Sequence, residues 1–257
     1  MQEAGHTFLA RLGKTKLRPG GIDATEWLIG QANIGPDTKV LEVACNMGTT
    51  MVMLAQRYGC SVTGIDLDER ALDKARANIG KNRLEDSLTV VHGSAFELPF
   101  EDQSFDIVIN EAMLTMLPGK NKDRALAEYA RILKPGGLLL TQDVCFRTDD
   151  VDQQRELRRG LSRAINVSVE PLDREGWKSR IESHGFVTEQ KSGDMTLLDP
   201  QGMVHDEGTD GALKIMFNAM KQENFEMFTR MFRFFNGHKD DLGYVANFSC
   251  RTAGATA

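Results

Sequence analysis

The sequence predicts an α/β fold, a mostly parallel sheet with helices on both faces. Two observations carry this. From about residue 37, short apolar runs alternate with helical patterns, as strands and helices do in a parallel sheet covered on both sides. The helical patterns also end on glycine or proline, at Gly59, Gly80 and Pro135-Gly136-Gly137, where a chain leaves a helix.

The elements follow in order. Lys39 to Ala44 reads as the first strand, and Thr49 to Tyr58 as a helix. Ser61 to Asp66 is the second strand, and Asp68 caps a helix over Glu69 to Ile79. Ser87 to His92 and Phe105 to Asn110 are the third and fourth strands. A helix over Lys122 to Leu133 precedes the fifth strand, Leu138 to Asp143. Beyond it the alternation loosens, with helices expected at Asp149 to Ile165 and Leu172 to Ser183, and a sixth strand at Phe186 to Lys191. Pro200 to Asp241 is helical in period, and Gly243 to Cys250 is the last strand. Ahead of the sheet, Ile22 to Ala32 reads as a helix capped by Asp23 or Thr25.

Composition narrows the function. The chain has 257 residues, 41% hydrophobic and 26% charged, enough for one sizeable core without disulfides. Its net charge of −6 leaves no footprint for nucleic acid, which needs clustered Lys and Arg. Arg155, Arg158, Arg159 and Arg163 read as a solvated helix face. Cys45, Cys60, Cys145 and Cys250 form no CxxC pair, so neither a metal site nor a disulfide framework is expected, and a reducing cytoplasm is. Met1 to Arg18 is polar and basic without an apolar run, and no stretch reaches the ~18–20 apolar residues that span a membrane.

The informative segment is Val40 to Thr50, VLEVACNMGTT. A strand ends in Glu42-Val43-Ala44, and the loop Cys45-Asn46-Met47-Gly48 leads into a helix. In an open parallel sheet, ligands bind beyond the carboxyl ends of the strands, where strand order reverses. A loop there must let backbone approach the ligand. Glycine does this best, and Asn46 can stand in for one because asparagine tolerates left-handed backbone. The dinucleotide fingerprint GxGxxG is absent. Asp66 ends the second strand 18 residues after Gly48, placed to accept both hydroxyls of a ribose.

Glu42, Ala44, Asn46 and Gly48 resemble motif I of the class I S-adenosylmethionine-dependent methyltransferases, an acidic residue followed by xGxGxG. Ala44 and Asn46 replace its first two glycines. Gly93 to Phe100 resembles the family segment GDAxxLPF, with Ser94 at the acidic position. Ser104 to Val108 and Arg131 to Gly137 resemble its fourth strand and the turn before its fifth. The likeness covers about residues 37–143 and extends to the ubiquinone/menaquinone type. It implies a Rossmann-like sheet of seven strands in the order 3-2-1-4-5-7-6, the last antiparallel. It also implies that the cofactor meets Glu42, Ala44, Cys45, Asn46, Gly48 and Thr49 on the loop. Asp66 and Leu67 follow at the second strand, Ser94 and Ala95 at the adenine, and Asn110 and Glu111 at the fourth strand. Residues 1–36 become an N-terminal helical segment flanking this site. Residues 37–257 become the methyltransferase domain, with lid insertions at about 144–172 and 199–241.

Methyl transfer is an in-line displacement in which the protein supplies orientation and electrostatics. A base is needed only when the nucleophile arrives protonated. Glu111 and Asp143 are the candidate catalytic carboxylates. Thr115-Met116-Leu117 stands where relatives often carry a histidine. Cys45 reads as packing, and His205 as a solvated loop residue.

Six of the 13 Phe and four of the 12 Met lie between Met216 and Phe235. Met216, Met220, Phe228, Phe232 and Phe235 recur at helical spacing, as a packed helix face, a homodimer contact or a pliant lid over an apolar or aromatic acceptor. The expected function is methyl transfer from S-adenosylmethionine to a small molecule. The rivals are a sensor that binds the cofactor without turnover and a nucleotide-dependent oxidoreductase. The missing GxGxxG speaks against the latter.

Overall fold

The computed structural model describes residues 3–252. One sheet runs β3-β2-β1-β4-β5-β8-β7. Its strands are β1 (Lys39–Val43), β2 (Ser61–Asp66), β3 (Leu88–His92), β4 (Phe105–Glu111), β5 (Leu133–Phe146), β7 (Phe186–Asp194) and β8 (Leu242–Arg251). β8 runs antiparallel to both β5 and β7, which reproduces the expected order and its one reversed strand. The chain winds outward from β1 to β3, then returns to place β4 on the other side of β1. The crevice above β1 and β4 is therefore the topological switch point.

Seven strands were expected, and an eighth is present among the described residues. β6 (Leu172–Asp173) pairs with Cys145 and Phe146 at the end of β5. A helix was expected from Leu172; instead the Asp173 carboxylate accepts from the Gly176 amide at 2.6 Å, so α7 (Arg174–Glu182) begins one residue after its cap. β5 begins at Leu133, five residues before the expected start. Leu133 pairs with Phe105 and Leu138 with Ile107, so Lys134 to Gly137 bulge out.

Helices α2 (Gly21–Gly30), α3 (Thr49–Tyr58) and α4 (Glu69–Asn82) cover one face of the sheet, and α5 (Gly119–Ile132) and α7 the other. A third core lies beyond the strand ends. It joins α1 (Gly5–Leu12), α6 (Val151–Ile165), α8 (Pro200–Ala219) and α9 (Gln222–Gly237). The helical pattern over Pro200 to Asp241 is thus two helices, and α8 is itself kinked at Gly208, where φ is +73°. α1 lies in a terminus without a continuous apolar run. Its buried Phe8, Leu9 and Leu12 sit at helical spacing, and Gly13 closes it in left-handed backbone.

The methionine and phenylalanine stripe divides. Phe228, Met231 and Phe235 are buried in the third core, while Met220 is 63% exposed. α2 is preceded by Gly20 as its cap rather than by Asp23 or Thr25. Among the described residues, no helix is long and apolar enough to cross a membrane.

Candidate active site

The crevice above β1, β2 and β4 has a volume of about 220 Å³. Its floor is the loop after β1. Ala44, Asn46 and Gly48 all adopt left-handed backbone, with φ of 57°, 49° and 68°. The alternation coils the loop tightly enough for the Gly48 amide to reach the Cys45 carbonyl at 2.9 Å. Left-handed backbone costs an alanine about 1–2 kcal/mol, so the strain at Ala44 is held by the surrounding structure. Cys45 is buried, its thiol pushed up chiefly by burial, which leaves no reactive thiolate.

Asp66 ends β2 with both carboxylate oxygens oriented. One accepts from the Asn46 amide and the other from the Asp68 amide, each at 2.9 Å. Every carboxylate oxygen has capacity for a second donor, so Asp66 stands aimed and unsaturated at the crevice edge. Leu67 beside it is 64% exposed.

Glu42 lines the crevice, 7% exposed, and its Oε2 has no hydrogen-bond partner. Burial, then the neighbouring Glu111 charge, pushes its carboxyl up to about 8, against the pull of Arg18. A cation entering the crevice would satisfy that oxygen.

Glu111 is occupied. Its Oε2 accepts from Arg18, and its Oε1 from Thr25 at 2.6 Å and Gln142 at 2.5 Å. Arg18 also donates to Thr50 at 2.8 Å, and the Gly20 amide to Gln142 at 3.0 Å. This network binds the strap of residues 13–20 across the mouth of the sheet. The strap's other anchor is a buried ion pair. Lys14 lies 3.2 Å from Asp206 and 3.6 Å from Glu207 on α8, and Glu207 also accepts from the Thr15 and Lys16 amides at 2.9 Å.

Of the residues expected at the cofactor, Glu42, Ala44, Cys45, Asn46, Thr49, Asp66 and Glu111 line the crevice together. Gly48 caps α3 beneath the loop. Leu67, Ser94, Ala95 and Asn110 lie off this lining. Ser94 Oγ accepts from the Phe96 amide at 3.2 Å, Ala95 is buried, and Asn110 donates to the Val43 carbonyl at 3.0 Å. Asp143, expected at the end of a strand, stands inside β5 and is fully buried. It accepts from the Thr115 amide and hydroxyl at 2.7 and 2.8 Å, and burial pushes its carboxyl up to about 7. His205 is exposed and meets Asp23 at 2.8 Å.

Three contributors escaped the sequence reading: Arg18, Gln142 and His6. His6 on α1 lines the crevice and also an adjoining apolar cavity. That cavity, about 60 Å³, is walled by Leu9, Leu161, Met195, Met231 and Phe235. It shares His6, Leu17, Ala112 and Met116 with the crevice, so the two spaces meet there. The helical spacing of Phe8, Leu9 and Leu12 was the available signal for α1.

Comparison with known proteins agrees with this geometry. Residues 40–137 match the family model described as a methyltransferase domain. An uncharacterized protein of Haemophilus influenzae is 55% identical over 245 residues, 95% of this chain and 96% of that one. The 27-O-demethylrifamycin SV methyltransferase of Amycolatopsis mediterranei is 25% identical, with 86% of this chain and 80% of that protein aligned. Among solved structures, geranyl diphosphate C-methyltransferase from Streptomyces coelicolor, with S-adenosyl-L-homocysteine and geranyl diphosphate bound, shares the fold. Its TM-score is 0.66 at 17% identity, over 90% of this chain and 77% of that one. Residues 40–137 thus carry a methyltransferase domain, in a chain whose fold is shared with S-adenosylmethionine-dependent methyltransferases.

Proposed function

We propose that the chain methylates an apolar or aromatic small molecule seated in the cavity beneath α1. The observation that carries this reading is the junction of two unlike spaces. A polar crevice with an aimed carboxylate runs into an apolar cavity whose wall includes three methionines. Methionine side chains re-pack readily, which lets a cavity of about 60 Å³ admit a larger guest.

S-Adenosylmethionine supplies, when bound, an electrophilic methyl group on a sulfonium. Asp66 would accept the ribose hydroxyls through its free lone pairs. Glu42 would accept the ammonium of the methionine end at its unpartnered Oε2, and the residues therefore fit the group. The left-handed loop of Ala44, Asn46 and Gly48 brings backbone close to the ligand, with Cys45 and Thr49 beside it. Leu67, Ser94 and Ala95 lie off the crevice lining and would meet an adenine that extends beyond it, and Asn110 supports the floor through the Val43 carbonyl. Glu111, held by three donors, fixes the strap rather than taking a proton. Asp143 acts through Thr115 and the frame of β5.

This reading includes a reducing cytoplasm, supported by four free thiols, and a homodimer. The homodimer contact would use the exposed row of Leu213, Phe217, Met220 and Phe225 on α8 and α9, each 48–73% exposed. The test is incubation with methyl-tritiated S-adenosylmethionine and the low-molecular-weight fraction of a cell extract. Label passing into a solvent-extractable small molecule supports the reading. Label found only in water-soluble polar products contradicts the apolar acceptor.

A further inference from the structure

A groove of about 660 Å³ between α6 and α9 is lined by Arg163, Arg230 and Arg233 against one carboxylate, Glu226. In a chain of net charge −6 this is a local concentration of positive charge. The same groove is lined by Phe225, which is 48% exposed.

The outward face of α9 shows what fits it. Glu223, Glu226, Arg230 and Arg233 follow at intervals of three, four and three residues, which sets all four on one side of a helix. Asn224, Phe228, Met231 and Phe235 on the other side are buried. Glu223, Glu226 and Arg233 are exposed. Among the described residues, these three make no ion pair and no side-chain hydrogen bond. Glu226 and Arg230 stand at the spacing where one helix pairs its own charges. Arg230 turns instead to α6, to the Ala164 carbonyl at 3.4 Å and the Asn166 side chain at 3.0 Å. The helix dipole favours acids early and bases late, but only within the first and last turns. Glu226 and Arg230 lie inside α9, so the dipole does not account for them.

The order of charges is palindromic. Glu226 and Arg230 stand two residues either side of Phe228, and Glu223 and Arg233 five residues either side. In a two-fold contact, residue i of one copy meets residue j of the other, and j meets i. Two such helices crossing antiparallel at the level of Phe228 bring every acid of one stripe against a base of the other.

We propose that α9 pairs antiparallel with α9 of a second copy of this chain, Glu226 against the partner's Arg230 and Glu223 against the partner's Arg233. This rests on the homodimer reading above and gives that contact its orientation and register. Phe225 belongs both to the groove and to the exposed apolar row, so it joins the charged stripe to that row. The row supplies contact area without direction, and the charges select which arrangement forms. Arg163 adds a third guanidinium beside the incoming carboxylates.

The test is sedimentation velocity on the full chain and on charge-reversed variants, each checked by its thermal melt. Glu223→Arg with Glu226→Arg makes the stripe wholly positive, and Arg230→Glu with Arg233→Glu makes it wholly negative. Each variant alone should lose at least tenfold in dimer affinity. An equimolar mixture should restore a heterodimer, because only there do opposite charges face each other throughout. The wild-type dimer should weaken as salt rises, through screening. Should the loss of Arg230 unsettle α6, the single changes Glu223→Arg and Arg233→Glu read the same complementation with its bonds intact. A mixture no better associated than its components, or a dimer that survives in both variants, would overturn the proposal and leave the homodimer reading to the apolar row alone. A monomeric wild type would remove that reading and this proposal together.

Discussion

Arg18 donates to Glu111 across 93 residues of sequence, and both side chains are under 10% exposed. The bond joins the strap that follows α1 to the tip of β4. It turns a carboxylate at the switch point into an anchor. A buried pair contributes little net stability when intact, but removing one partner leaves an uncompensated charge. Arg18→Met should therefore lower stability by about 3–5 kcal/mol in urea unfolding. It should also weaken S-adenosylhomocysteine, because the strap loosens. Glu111→Gln, which keeps the geometry for Thr25, should cost less. Equal effects would indicate that the charge, rather than the hydrogen-bond geometry, sets the whole cost.

Glu42 gives the cofactor site a pH dependence with a definite sign. Its carboxyl is raised to about 8 in the folded chain, from 4.5. Between those values the folded chain holds a proton that the unfolded chain has released, so this group's contribution to stability falls as pH rises through that window. Cofactor affinity runs the opposite way, because the ionised form pairs with an ammonium. Titration calorimetry should show S-adenosylhomocysteine tightening from pH 6 to pH 8, and Glu42→Gln should flatten that rise. A wild-type affinity that weakens over this interval would contradict the assignment.

Phe235 and Met231 wall the apolar cavity without touching the crevice. Truncating either to alanine should raise the acceptor KM while leaving cofactor affinity within about twofold. Each also sits in the third core, so a stability loss of about 2–5 kcal/mol is expected from the cavity created. Phe228 stacks on Phe232 at 6.0 Å and lines neither space. Phe228→Ala should therefore cost stability without the KM effect. If Phe228 and Phe235 behave alike, the helices are core rather than acceptor wall.

The row of Leu213, Phe217, Met220 and Phe225 predicts association. Phe217→Glu with Met220→Glu should convert a dimer to a monomer in sedimentation velocity, with thermal stability nearly unchanged, because exposed side chains contribute little to the core. A wild-type monomer at micromolar concentration would remove the homodimer reading.

Much of this architecture was legible beforehand because it is written in local signals. Apolar runs bounded by Gly59, Gly80 and the Pro135 turn give strands and helices without reference to partners. The loop from Glu42 to Gly48 announced its left-handed backbone through Asn46 and Gly48. What stayed hidden depends on distance. The Gln142 side chain donates to Thr25, 117 residues away, and a sequence shows the residue type but not the partner. For the same reason Glu111 looked like a free carboxylate and proved to be held by three donors. His6 was lost because α1 is short and its apolar positions are only Phe8, Leu9 and Leu12 on one face. The eighth strand was lost because two residues carry no period.

The most direct test of the account is calorimetric titration of wild type and Asp66→Ala with S-adenosylhomocysteine and with NAD. Wild type should bind S-adenosylhomocysteine and ignore NAD, and Asp66→Ala should lose at least tenfold in affinity, as expected when charge-assisted hydrogen bonds worth about 1.5–3 kcal/mol each are removed. Binding of NAD in place of S-adenosylhomocysteine, or an Asp66→Ala variant that binds as wild type does, would contradict it.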